Sequence, residues 1–265
     1  MTQRLATFLI NLDGSDARLA RATAALTAAG LTFTRIPAFD GRGKTADDLP
    51  LYDAAATQRA FGRKMVGGEV GCFLSHIRAA EAFLASGAAY GLVLEDDATV
   101  PPDAAETLRL LLDALETGAA VTPWRVINLG RPASRVLTPL EMVSNSHRLI
   151  RAHYHPMTTT AILWNRDGAR AFLNGAARRI DMPVDNWIQR WASARDCGLA
   201  LAPPLFPPAE GDSEIGGAVQ RKGGARGWGY FIGKQTRLWR NKLRALRNRG
   251  AFRRGLMDNA RAVRG

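Results

Sequence analysis

Three acids, Glu95-Asp96-Asp97, stand directly behind the apolar run Tyr90-Gly91-Leu92-Val93-Leu94. A run of that length and composition reads as a buried strand, and ligands of open α/β sheets bind outside the carboxyl ends of strands. In extended backbone Glu95 and Asp97 point to one side and Asp96 to the other. Two carboxylates can then converge on one divalent cation and hold its bound diphosphate. Such a cation would neutralise charge growing on a leaving phosphate. The competing reading makes the acids favourable charges for the helix opening at Pro101-Pro102-Asp103. Three adjacent carboxylates repel one another, however, and a bound cation relieves that.

A second cluster is Gly67-Gly68-Glu69-Val70-Gly71-Cys72-Phe73-Leu74-Ser75-His76, glycines leading into a helix. Close backbone approach to a ligand would explain the glycines. At about 100° per residue, Glu69 and His76 fall within roughly 20° of each other, off the Val70/Leu74/Ile77 stripe, and could line one wall of a cleft. The plainer alternative is an N-terminal Glu favoured by the helix dipole and a partly buried His bonded to a carbonyl. Asp181 and Asp185 flank a further helix start at Pro183. Either could take a proton from an attacking hydroxyl, or serve only as N-terminal charge. Asn11 and Asp13, and Asp40 with Arg42, follow strand-like runs and read as turn formers or as contacts to a base, ribose and diphosphate. His147, His153 and His155 have no paired-ligand spacing, and Cys72 and Cys197 match no metal or disulfide pattern and read as structural thiols.

The elements that must position these groups alternate. Strands are expected at 5–12, 33–38, 90–94, 124–129, 158–164 and 199–202, and helices at 18–29, 70–85, 103–115, after Arg166 and from Pro183. Residues 40–64 read as irregular. The implied architecture is an α/β sheet protein, with no internal repeat and no break in residues 1–210 that forces a second domain.

The 265 residues, 46% hydrophobic and 23% charged, suffice for a large packed core and exclude wholesale disorder. The formal charge of +12 is unevenly placed. Residues 221–265 hold 14 Lys or Arg and one acid, Asp258, so a near-neutral body at 1–220 is followed by a basic tail. In that tail Trp239, Leu243 and Leu246 share a helical face, with Arg237, Arg240, Arg244 and Arg247 beside it. The pattern suits an amphipathic helix on anionic lipid; a solvated tail is the plain alternative. Nucleic-acid binding is the competing use of such charge, but no zinc-finger or RRM signature accompanies it. No secretion signal or run of 18 apolar residues is seen, so a cytoplasmic protein, peripheral on the inner face of the cytoplasmic membrane, is expected.

Taken in order, Phe8-Leu9-Ile10-Asn11-Leu12 with Arg18, Phe39-Asp40-Gly41, Gly68 to His76 and Leu92 to Asp97 resemble glycosyltransferase family 25, the lipooligosaccharide and collagen β-galactosyltransferases. The likeness continues through Thr158-Thr159-Thr160-Ala161, Asp167-Gly168-Ala169 and Pro183-Val184-Asp185 to Asp212-Ser213-Glu214-Ile215. Asp13-Gly14-Ser15 departs from the family's arginine-richer stretch, and Thr160-Ala161-Ile162-Leu163 lacks its usual tyrosine. The resemblance implies a GT-A-like nucleotide-sugar fold, a UDP-sugar donor, usually UDP-galactose, inversion at the anomeric carbon and a divalent metal, typically manganese. By position it implies Glu95 and Asp97 as metal ligands, and Asn11, Asp40, Asp96 and the Glu69, Ser75, His76 segment as donor-site walls. Asp185 is the implied base, with Asp181 and Glu69 as rivals. The acceptor would be a lipooligosaccharide or another cell-surface glycan; a non-catalytic nucleotide-sugar-binding protein is the alternative.

Overall fold

The computed structural model describes residues 4–117, 123–133, 135–176, 178–209 and 228–262. Its strands are β1 (Leu5–Asn11), β2 (Thr34–Pro37), β3 (Tyr90–Glu95), β4 (Val126–Asn128), β5 (Leu137–Met142), β6 (Arg148–Ala152), β7 (Ala161–Asn165) and β8 (Gly198–Ala202). The helices are α1 (Asp16–Ala28), α2 (Ala54–Phe61), α3 (Gly67–Ala85), α4 (Ala104–Glu116), α5 (Arg166–Ala176), α6 (Val184–Arg195) and α7 (Trp228–Ala262).

Period-two alternation along the strands sorts side chains to two faces of one mixed sheet, ordered β2-β1-β3-β7-β4-β8-β6-β5. Phe8, Ile10, Val93, Ile162 and Trp164 face the layer of α3, α5 and α6, where Phe73, Phe172, Trp187 and Trp191 pack. Trp164 and Phe172 stack at 5.4 Å, and Trp187 meets Phe172 edge-on at 5.3 Å. Leu9, Leu92, Leu94 and Leu163 face the other way, onto α1 and α4 through Leu26, Leu108, Leu111 and Leu112. β1 pairs in parallel with both β2 and β3, so all three chains reach the same edge of the sheet at their carboxyl ends. Asn11, Pro37 and Glu95 therefore end side by side, which is where the acidic triplet emerges.

Two parts of this architecture depart from the expected elements. Residues 40–64 hold a short 3-10 turn at Ala46–Asp48 and the helix α2, capped by Asp53 Oδ1 accepting from the Ala56 amide at 2.7 Å. The hairpin β5/β6 was not expected at all. Its Pro139, its polar connection Ser144-Asn145-Ser146 and its Arg148 and Arg151 hide the alternation that marks a strand.

The basic C-terminal stretch forms α7, which docks on the body through Ala245, Asn248 and Phe252. Ala245 is fully buried, and Asn248 Nδ2 donates to Ser193 O at 2.9 Å. The Phe252 ring meets His153 edge-on at 5.5 Å and lies under the Arg151 guanidinium. The face carrying Trp239, Leu243 and Leu246 is turned outward, with Trp239 61% exposed. Among the described residues no helix is long and apolar enough to cross a membrane. The division at 220/221 and the Asp212 to Ile215 motif lie outside the described residues.

Candidate functional site

The ends of β1 and β3, the loop after β2 and the first turns of α3 enclose a cleft. Asn11, Arg18, Asp40, Arg42, Gly68, Cys72, Ser75, His76, Glu95, Asp96 and Asp97 line it. The acidic loop is fixed from behind by the proline-rich segment that follows β8. Thr99 N donates to Pro207 O at 2.8 Å and Ala209 N to Asp97 O at 2.7 Å, so backbone bonds help hold this turn.

The three acids take three separate environments. Asp96 is buried, accepts from Asn11 Nδ2 at 2.7 Å and pairs with Arg18 at 2.6 Å. Arg18 also approaches Asp97 at 3.7 Å. Glu95 Oε1 accepts from the Thr159 hydroxyl at 2.6 Å and lies 3.0 Å from His76 Nε2. Burial raises the Glu95 carboxyl, but His76, Thr159 and Arg18 together outweigh it and hold the group below the ordinary glutamate value. Burial and then the charge of Glu95 push Asp97 up to about 6, against the pull of Arg18. The expected alternation of these side chains is lost because β3 ends at Glu95 and the chain turns through 96 and 97. Nor do the acids cap α4, since Asp96 is taken by Asn11 and Arg18.

Asp97 Oδ1 is buried without a hydrogen-bond partner among the described residues. An orphaned carboxylate oxygen beside a second carboxylate matches the hard oxygen donors that magnesium or manganese requires, so Glu95 and Asp97 fit a divalent ion. A softer set shares Glu95: the donor atoms of Cys72, His76 and Glu95 lie within 4.8 Å of one another. This gives Cys72 a second reading beside that of a structural thiol. Its i, i+4 spacing to His76 on α3 was the available signal, and Glu95 was the missing third member. Burial, then Glu95, Asp185, Asp97 and Glu69, push the Cys72 thiol well above its usual range, so in this acidic setting it is held as the thiol.

Several expected donor contacts also carry supporting roles. Asn11 is buried, donates to Asp96 and accepts from Arg35 Nε at 3.0 Å, so its amide orients the acid from within the cleft wall. Ser75 donates to Gly71 O at 2.7 Å and accepts from Phe39 N at 2.8 Å, which pins the loop after β2 onto α3. The glycines have the same explanation. A Cβ on Gly71 would sit 2.5 Å from Phe39 O, and Gly67 and Gly41 meet backbone to backbone. Their closest demand therefore comes from the chain itself rather than a ligand. Glu69 does not line the cleft, contrary to expectation. It takes both guanidinium nitrogens of Arg63, at 2.5 and 2.8 Å, and accepts from the Val66 amide at 3.1 Å. Asp40 stays at the exposed rim, where hydrogen bonds from Arg42 hold its carboxyl below the ordinary range, and Asp13 pairs with Arg35 outside the cleft.

Of the candidate bases, Asp181 is paired with Arg190 at 3.3 Å and Glu69 with Arg63. Asp185 takes part in no salt bridge among the described residues and accepts only from the Asn186 amide, at 2.7 Å. Burial, with the charges of Glu95 and Glu69, raises its carboxyl to about 6. That influence places Asp185 near the acidic cleft, although it does not line it.

Comparison with known proteins gives this geometry a family. The sequence profile described as glycosyltransferase family 25 (LPS biosynthesis protein) matches residues 4–188, the span that holds β1, β3, α3 and the start of α6. Among curated relatives, a probable inactive glycosyltransferase 25 family member 3 from Bos taurus is 30% identical over 191 residues. Procollagen galactosyltransferase 1 from Danio rerio is 28% identical, and procollagen galactosyltransferase 2 from Homo sapiens 26%, each over 189 residues. Each of the three matches takes in 68% of this chain but only 29–30% of the relative, so the chain spans under a third of those proteins. By the profile match across most of its length, the chain belongs to glycosyltransferase family 25.

Proposed function

We propose that this chain is an inverting, UDP-sugar-dependent glycosyltransferase that moves a hexose, galactose from UDP-galactose, onto a sugar hydroxyl of a lipooligosaccharide or another cell-surface glycan. The observation that carries the reading is the pairing, in one region, of a cation-ready carboxylate set with an unpaired carboxylate of raised pKa. Asp97 has an orphaned oxygen next to Glu95, and Asp185 is free of any salt bridge among the described residues.

Transfer in this reading is a single displacement. The acceptor oxygen forms a bond to the anomeric carbon as the bond from that carbon to the diphosphate oxygen breaks. The proton of the attacking hydroxyl passes to a carboxylate oxygen of Asp185. A base with a value of about 6 is mostly ionised at neutral pH yet more basic than an ordinary aspartate, which suits this task. A manganese or similar ion on Glu95 and Asp97 would neutralise charge on the departing diphosphate. Arg18 orients Asp96 and Asp97, while Arg42 stands at the cleft rim with Asp40. His76 and Thr159 hold the Glu95 carboxylate ionised and fixed in rotation.

The outward face of α7 supports a membrane-bound acceptor. Trp239, Leu243 and Leu246 are exposed beside Arg240, Arg244 and Arg247, an arrangement suited to anionic lipid. Several relatives carry the word inactive in their names, so a binding protein without turnover is the reading to be beaten. A test supplies UDP-galactose, manganese and a panel of glycan acceptors to the full chain and follows both UDP release and glycosylated product. Product formation that stops in Asp185→Asn supports the proposal. UDP-galactose binding without product across the panel, in a protein indifferent to Asp185→Asn, supports the binding protein instead.

A further inference from the structure

A second cavity, of about 400 Å³, is lined in part by α6 and falls in the size range of small-molecule sites. Its walls include Arg131, Arg135, His155, Asn186 and Arg190 from the body and Leu238 from α7, and no Asp or Glu. Arg190 is partly compensated by Asp181 at 3.3 Å. Arg131 and Arg135 enter no ion pair among the described residues, and two uncompensated guanidiniums on a concave wall focus positive potential. His155 is fully buried, and neither ring nitrogen has a partner among the described residues. Burial alone pushes it down to about 3, so it is a neutral imidazole offering one donor and one acceptor.

We propose that this cavity is the acceptor subsite and that it selects a sugar bearing an anionic substituent, a phosphate or a carboxylate, which Arg131 and Arg135 grip while His155 meets a sugar hydroxyl. The proposal rests on the transferase reading above and names its substrate class. A planar guanidinium fork matches the paired oxygens of phosphate or carboxylate, and a hydroxyl, being donor and acceptor at once, answers a neutral imidazole. The position also answers. Asn186 lines the cavity and directly follows Asp185 in the first turn of α6, so the cavity abuts the helix start that carries the proposed base.

The test titrates the full chain with glucose 6-phosphate, glucuronate, glucose and inorganic phosphate, by calorimetry, with and without saturating UDP and manganese. The proposal expects glucose 6-phosphate and glucuronate to bind at least about tenfold more tightly than glucose or inorganic phosphate, and to bind equally well with UDP present. Arg131→Ala combined with Arg135→Ala, both exposed positions, is expected to remove that preference while leaving UDP affinity unchanged. Equal affinity for glucose, a phosphate-only preference indifferent to the sugar, displacement of the sugar phosphate by UDP, or full binding by the double variant would each overturn it. Failure of UDP itself to bind counts against the donor reading and not against this one, because the sugar phosphate is read in a separate titration.

Discussion

Two concavities among the described residues are built on one frame and carry opposite charge. The cleft at the ends of β1 and β3 gathers Asp40, Glu95, Asp96 and Asp97 around Arg18 and Arg42, whereas the second cavity is lined by Arg131, Arg135 and Arg190 with no acid. A diphosphate entering the first meets carboxylates and needs a cation to bind there at all. An anion entering the second meets guanidiniums directly. Metal dependence should therefore be confined to the donor and salt dependence to the acceptor.

Asp185→Asn gives the largest effect, on the chemical step itself. It is expected to lower turnover about a thousandfold, the middle of the range for general base catalysis, while calorimetry finds UDP-galactose affinity unchanged. Asp97→Asn should act on one region alone. Metal-dependent UDP-galactose affinity falls by at least the roughly 10–100-fold seen when a metal site loses a supporting residue, and sugar-phosphate binding stays as it was.

The pH profile sharpens the same division. Asp185, raised to about 6 by burial and by Glu95 and Glu69, must be ionised to accept a proton, so turnover should fall about tenfold per pH unit below that value. The stability sign is the reverse. A carboxyl whose folded value lies above its unfolded value is destabilising once ionised, so stability is lost as pH rises through the folded value. Asp185→Asn should raise stability at pH 7.5 by about 2–3 kcal/mol, read as a higher melting temperature, and leave it unchanged well below pH 4. A lower melting temperature in the variant at pH 7.5 would contradict the assigned environment. The smallest effect belongs to α7: Trp239→Ala should leave the melting temperature within about 0.5 kcal/mol of wild type, as expected for an exposed position, yet reduce sedimentation with anionic vesicles several-fold.

The acidic cleft was legible in the sequence because its members sit at element ends. A buried strand followed at once by Glu95-Asp96-Asp97, and a first strand ending in Asn11, mark the same sheet edge through parallel pairing. What those side chains do was less legible. Asn11 and Ser75 had the right address but serve the protein's own backbone and acids, and Glu69 went to Arg63, six residues earlier in a stretch expected to be irregular. Cys72 and Cys197 match no metal or disulfide pattern, and Glu95, the third donor near Cys72 and His76, is distant in sequence. The basic cavity left no local signature. Its lining comes from α2, the loop after β4, the approach to β7, α6 and α7, and no two of those segments are neighbours in the chain. The apolar stripe of the tail was visible, but the docked one, Ala245, Asn248 and Phe252, mixes small, polar and aromatic residues and carries no hydrophobic period.

The central claim is that the acidic edge of this sheet binds a nucleotide sugar through a cation held by Glu95 and Asp97. Calorimetric titration of the full chain with UDP-galactose, in manganese and in chelator, tests it most directly when wild type and Asp97→Asn are run side by side. The account predicts binding by the wild type in manganese, loss of most of that affinity in chelator, and a variant that binds weakly under both conditions. Equal wild-type affinity with and without the metal, matched by Asp97→Asn, would contradict it.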